Sequence, residues 1–416
     1  SREPFFENVN GISFLKVTGG WGQLGNQEVA NLQYLALVAS GRRYAFGADG
    51  STQVVGASLS RIPNQNISWE TAEMLNFGLE IGLLENRLFG TFNYFIKDTK
   101  DMLLAPPTVG TIGRTDVPDQ NVGELRNQGL EMELSYRGNV GDFTYNLSGN
   151  AAFIQTEVTR LFDGNFLASR FYGRPNQEIA RTFEGEPIGT FFGWTTDGLY
   201  QNEGEINNDP NIANDPRREA GLIQPGDVRF IDLNGDGLVD EQDRTIIGDP
   251  TPDVTYGFNA GFGYKGFDLN LFFLGVAGVD IYNADRMQGL DASYPFNLYA
   301  EAEDRWTGEG SSNDIPRATV NRDNLNFRTS DLFVESGSFL RLKNLTLGYT
   351  LPADVTSKIG MTNLRFYVTG QNVFTITDYS GLDPELGYVD GNLQRNVDYA
   401  QYPQAQTWVF GLSAGF

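Results

Sequence analysis

The stretch that decides the fold is LNFGLEIGLLENRLFGTFNYFIKDTKD, residues 75–101. Leu75, Phe77, Leu79, Ile81 and Leu83 are apolar, and Asn76, Gly78, Glu80 and Gly82 stand between them. A turn follows at Glu85-Asn86-Arg87. Leu88, Gly90, Phe92, Tyr94 and Ile96 then alternate with Phe89, Thr91, Asn93, Phe95 and Lys97. A period of two over this length predicts a β-hairpin with one apolar and one largely polar face.

The same pattern runs outward in both directions. LEMELSYRGNVGDFTYNLSGNAAF (130–153) reads as a second hairpin, and VTYGFNAGFGYKGFDLNLFFLGVAG (254–278) as a third, turning at Lys265-Gly266. Residues 13–22, 338–351, 363–376 and 405–416 are further candidates, for about ten to twelve strands in all. A soluble antiparallel sheet and a transmembrane barrel both alternate in this way. Strand length favours the barrel: a tilted spanning strand needs about 9–11 residues, whereas soluble strands run to about 5–6. The connections also favour it. They are short on one side and long over about 160–250 and 280–335, and such asymmetry is usual for outer-membrane barrels.

Composition agrees. The chain has 416 residues, 13% aromatic, with 49 Gly and a net charge of −23. Only every second residue of a barrel strand meets lipid, so a hydrophobic fraction of 40% is no obstacle. There is no Cys and no His, which excludes disulfides, zinc centres, Ser-His triads and Cys nucleophiles. The acidity, without a Lys/Arg cluster, argues against nucleic acid as a partner. Acidic pairs arise by chance among 53 carboxylates, and no compact catalytic domain is visible, so an enzyme is not expected. No organic cofactor is expected either. A calcium-stabilised soluble β adhesin is a further alternative.

The chain ends in TWVFGLSAGF, with Trp408, Phe410, Leu412 and Phe416 on one side of an alternating strand. This is the form of a terminal strand used in barrel assembly. One stretch stands out from the alternation. DLNGDGLVDEQD (232–243) places Asp232, Asn234, Asp236, Asp240 and Asp243 at calcium-loop positions one, three, five, nine and twelve. Gly237 falls at the sharp turn, and Leu238 would offer its carbonyl at position seven. Asp243 replaces the usual Glu, and no helical pattern flanks the loop, so it is not a sensor-type EF-hand. A structural Ca2+ pinning an outer loop is one reading, and a solvated, metal-free acidic turn is the other. In TFFGWTTDGLY (190–200), Phe191, Phe192, Trp194 and Tyr200 are candidates for stacking on a substrate; packing among themselves is the alternative.

Seven blocks in order along the chain resemble the SusC/RagA-type TonB-linked outer-membrane transporters of Bacteroidetes. They are FLKVTGGWGQLGNQ (14–27), residues 67–104, VGELRNQGLEMELSY (122–136), EGEPIGTFFGWTTDGLYQ (184–201), residues 226–283 with the acidic loop, SFLRLKNLTLGYTLP (338–352), and LRFYVTGQNVFTITDYSGLDPEL (364–386). The resemblance implies an all-β, antiparallel transmembrane barrel of roughly 22 strands. Residues 1–416 would be its C-terminal part, with the plug domain absent from this chain. It further implies import of an oligosaccharide or peptide across the outer membrane of a Gram-negative bacterium. Its partners would be a SusD-like surface lipoprotein, a TonB-type energy-coupling protein reached through a missing N-terminal region, and outer-membrane lipid. A SusC-like barrel retained as a non-transporting scaffold subunit is the alternative.

Overall fold

The computed structural model describes residues 11–29, 31–46, 50, 52–104, 119–162, 166–169, 171–172, 177–387 and 393–416. Its frame is a ten-stranded antiparallel sheet in which each strand pairs with its neighbours in chain order. The strands are β1 (Ile12–Asn26), β2 (Glu70–Leu83), β3 (Leu88–Leu104), β4 (Gln120–Val140), β5 (Phe143–Arg160), β6 (Val254–Tyr264), β7 (Phe267–Ala277), β8 (Phe339–Thr350), β9 (Asn363–Thr377) and β10 (Thr407–Gly415). All ten were legible as alternating segments. The hairpin of Leu37–Phe46 with Thr52–Arg61 was not, because Gly, Arg and Ser interrupt its alternation; it pairs only with itself.

Register shows why alternation was the decisive signal. One lateral row joins Phe77, Tyr94, Leu130 and Phe153 across β2 to β5. The next rows toward the short turns join Leu79, Phe92, Met132 and Ala151, then Ile81, Gly90, Leu134 and Gly149, then Leu83, Leu88, Tyr136 and Leu147. These rows form one apolar face on which Phe77, Leu134 and Phe153 lie exposed. Two rows further up the same face, the register partners are Glu73, Asp98, Arg126 and Glu157. Arg126 pairs there with Asp98 at 2.7 Å and Lys100 with Glu73 at 2.6 Å. On β2 the apolar band between that charged row and the turn runs from Leu75 to Leu83, nine residues or about 27 Å along the strand. Tilted, it matches the about 25 Å lipid band of an outer-membrane barrel. The opposite face carries lumen pairs such as Lys16–Glu80 and Arg365–Asp268, both at 2.6 Å.

The connections alternate in length. Leu84–Arg87, residues 141–142, Lys265-Gly266 and residues 351–362 close one end. The first turn starts one residue earlier than expected: Leu84, Glu85 and Asn86 all have positive φ. The other end carries residues 27–69, 105–119, 161–253, 278–338 and 378–406. The two longest were expected over about 160–250 and 280–335.

These long connections are not loose. Among the described residues the main apolar clusters lie here rather than in the sheet. Leu199, Tyr200, Ile206, Ile212, Val228, Phe230 and Val239 form one cluster with Trp194. Ile179, Phe191, Tyr282, Met287, Phe333 and Val397 form a second, drawn from three different connections. Short ladders support it: Thr190–Gly193 pairs with Thr245–Gly248, and Asp280–Asn283 pairs with both Val334–Ser336 and Val397–Asp398. The connections 161–253, 278–338 and 378–406 therefore pack together at a single rim.

Candidate functional site

The acidic loop is built from its own side chains. Asp232 accepts from the backbone N–H of Gly235 (2.7 Å) with one oxygen and of Gly237 (2.6 Å) with the other. Asn234 accepts from Asp236, and Asp236 from Leu238, each at 2.9 Å. Asp243, fully buried, closes the ring by accepting from Leu233 (2.9 Å), Asn234 (3.3 Å) and Asp240 (2.8 Å). Gly235 and Gly237 have φ near +80°, where any side chain would be strained. The spacing that resembles calcium ligation thus serves a chain of Asx turns. Burial penalises the Asp232 carboxylate, but donation from Gly237, Gly235 and Asp236 outweighs it and holds its pKa below the ordinary value. The oxygen donors suit a hard cation, yet among the described residues no three acidic side chains stand together as a group able to hold a metal ion.

The candidate aromatics occupy different surroundings from those expected for stacking on substrate. Phe191 is fully buried against Tyr282, with ring centres 5.8 Å apart. Tyr200 is 1% exposed, and its hydroxyl donates to Asp209 at 2.6 Å. Neither presents a ring face to a ligand. Trp194 donates its indole N–H to the carbonyl of Asp240 at 2.7 Å, joining its strand to the acidic loop.

Phe192 and Trp194 belong to a stack that sequence reading missed. The Arg181 guanidinium lies 4.0 Å from the Phe166 ring centre and 4.3 Å from that of Phe192. Arg244 lies 4.8 Å from Phe192 and 5.0 Å from Trp194. Arg328 lies 4.5 Å from Trp194 and 3.7 Å from Phe230. Three cations thus alternate with four rings, each contact worth about 0.5–2 kcal/mol. The members come from six separate stretches between residues 166 and 328, so no local spacing announces them. Burial, with Arg217 nearby, pushes Arg328 down to about 9, against the pull of Asp215, Asp243 and Glu241; it remains charged at neutral pH.

A second knot ties the two longest connections. Buried Asp227 accepts from Arg317 Nε (2.7 Å), Asn324 Nδ2 (2.9 Å) and Asn326 Nδ2 (3.0 Å) with one oxygen, and from the Gln224 backbone (2.8 Å) with the other. Arg341 on β8 reaches Asp383, Glu385 and Thr375, holding residues 378–406 to the lumen face of the sheet.

Residues 15–373 match the family model described as TonB dependent receptor-like, beta-barrel. The chain belongs to that family. Its curated relatives include TonB-dependent receptor P3 of Formosa agariphila, 35% identical over 427 residues, and TonB-dependent receptor SusC of Bacteroides thetaiotaomicron, 29% identical over 424. Both alignments cover the whole of this chain but only 41% and 39% of the relatives, so the chain spans about two fifths of their length. Among solved structures, the RagAB peptide transporter superposes with a TM-score of 0.75 at 27% identity, over 99% of this chain and 42% of that one. Membership confirms the barrel class and the resemblance to SusC and RagA, and places the chain in the outer membrane. The family is one of receptors, not enzymes. As a TonB-dependent receptor-like barrel, the chain presents to lipid the rows around Phe77 and Leu134. At its terminal strand, Phe410 pairs laterally with Val368 and Leu412 with Phe366; Trp408, Phe410, Leu412 and Phe416 are all exposed.

Proposed function

We propose that this chain forms wall and outer cap of a TonB-dependent importer of a bulky nutrient, an oligosaccharide or a peptide. A SusD-like surface lipoprotein delivers the nutrient and a TonB-type protein supplies energy. The observation that carries the reading is the one-sided architecture. A sheet with a lipid-facing apolar band sends its long connections to the same rim, where 161–253, 278–338 and 378–406 fold together around apolar clusters of their own. A rigid rim body is a surface on which a lipoprotein lid can seat. Edges β1 and β10 each pair with a single strand among the described residues. In lipid such edges need partners, which a barrel of about 22 strands supplies.

The test is uptake. Cells carrying the full-length protein are compared with a deletion strain and a TonB-deficient strain on labelled oligosaccharides and peptides. Loss of uptake of one substrate class in both mutants supports the reading. Unchanged uptake of every substrate, with loss of a co-purifying assembly, moves the scaffold alternative to first place.

Within the same proposal the acidic loop takes a structural Ca2+. Its oxygen donor set supports this, and its closed Asx turns oppose it. Metal analysis after dialysis, on the native protein and on Asp236→Asn with Asp240→Asn, decides: equal calcium content and equal protease resistance overturn the assignment.

A further inference from the structure

Strand β5 runs on to Arg160, but its neighbour β6 begins only at Val254, opposite Phe153. Above that level the space beside β5 is bounded by two connections. On one side Val158 donates to the carbonyl of Glu186 at 3.0 Å and accepts from Gly185 at 2.8 Å. On the other stand residues 249–253, which lead into β6. Between them lies a cavity of about 780 Å3. Its floor is the upper part of the lipid-facing band, where Tyr94, Leu130 and Phe153 form one lateral row and are all exposed. One row higher on the same face, Gln128 donates to Gln155 at 3.1 Å, which leaves the Gln155 amide nitrogen to donate elsewhere. Higher still come four carboxylates, Glu157, Glu186, Asp249 and Asp253. Among the described residues no Lys or Arg lines this cavity, and none of the four carboxylates is in an ion pair; Arg126 and Arg160 of the adjoining strands are committed to Asp98 and Glu124. Burial raises the Asp249 carboxyl above its ordinary pKa, and Asp280 and Asp253 add to that against donation from Thr251. The cavity is thus short of positive charge. Among the described residues no three acidic side chains form a group able to hold a metal ion, so the cation that fits is a larger one.

We propose that this cavity holds a membrane lipid whose headgroup ends in a protonated amine. The order of its lining is the order of such a molecule standing in a bilayer. The acyl chain lies on Tyr94, Leu130 and Phe153, a phosphate oxygen accepts from the Gln155 amide, and the amine meets the carboxylates. The cavity lies mid-sheet and on the outer face, so strands that close the barrel at edges β1 and β10 do not cover it. The proposal rests on the chain's place in the outer membrane and not on the import reading; a barrel that transports nothing would hold the same lipid.

The experiment is native mass spectrometry of the full-length protein in detergent. The protein is titrated with phosphatidylethanolamine, with its N-acetyl derivative, which lacks the positive charge, and with glycerophosphoethanolamine, which lacks the acyl chains. Phosphatidylethanolamine is expected to bind about ten-fold more tightly than either. Glu157→Gln with Asp253→Asn removes two of the charges and should weaken phosphatidylethanolamine about five-fold or more, leaving the N-acetyl derivative unchanged. Heat-modified mobility shows whether that variant is folded. Glu186→Gln is the second variant and should lower the preference about two-fold or more. Equal binding of the two lipids by the native protein, equal binding of glycerophosphoethanolamine, or a preference that the folded variants keep overturns the proposal.

Discussion

The indole N–H of Trp194 donates to the carbonyl of Asp240 at 2.7 Å. Arg244 and Arg328 both lie over the same indole ring, 5.0 Å and 4.5 Å from its centre. One side chain thus joins the acidic loop to the cation–ring stack. Trp194→Phe keeps an aromatic face but removes the donor and leaves the carbonyl unpaired. The expected cost is about 1–2 kcal/mol, read as faster hydrogen exchange over residues 232–243 with unchanged exchange in the barrel strands.

Asp227 gathers Arg317, Asn324 and Asn326 around one buried carboxylate. Asp227→Ala strips these donors of their partner and leaves the arginine without its counter-charge. A loss of about 3 kcal/mol or more is expected. Limited proteolysis checks it: cleavage should appear within 310–326 while the barrel remains intact.

Acid should open the loop. Asp232 has its folded pKa held below the ordinary 3.8, as does Asp215, where burial is outweighed by hydrogen bonds from Arg217. A depressed carboxylate contributes stability in full above its unfolded pKa and loses it as pH falls through the folded one. Protection of the Gly235 and Gly237 amides, corrected for intrinsic rate, should hold between pH 7 and 5 and collapse below about pH 3.8. Protection unchanged at pH 2.5 would show that the carboxylate charges do not hold the turn.

The two faces of β9 should respond differently to charge. Phe366 is exposed on the lipid side, level with Leu412, whereas Thr369 faces the lumen and meets Thr346 at 3.0 Å. Phe366→Arg is expected to cost about 1–2 kcal/mol, because Phe366 lies three residues into β9, in one lateral row with Tyr349 and Phe267 beside the short turns and nearer the interface than the midplane. Thr369→Arg should cost about 1 kcal/mol or less and act on the passage of solutes. Refolding into lipid vesicles, followed by heat-modified mobility, compares them.

Much of the fold was readable because a barrel strand declares itself locally. Leu75 through Ile96 alternate whatever the rest of the chain does, and a one-residue slip would turn every apolar side chain to the wrong face. The candidate site was harder to read. The spacing from Asp232 to Asp243 marked a tight oxygen-rich loop, but the same spacing suits a bound cation and a set of Asx turns. Phe191 and Tyr200 looked like available rings until burial withdrew them. Arg181, Arg244, Arg328 and Asp227 carried no local signal at all.

The sequence by itself determined the strands, their facing and the side of the sheet that carries the long connections, because these follow from a period of two and from the placing of turns. Only the tertiary structure decided that three of those connections share a core, that Arg328 packs against Trp194 and Phe230 with its Nε unpartnered, and that Asp227 joins residues nearly a hundred positions apart. Such contacts arise where distant segments are packed together, and their partners are chosen by burial and hydrogen-bond satisfaction rather than by spacing along the chain.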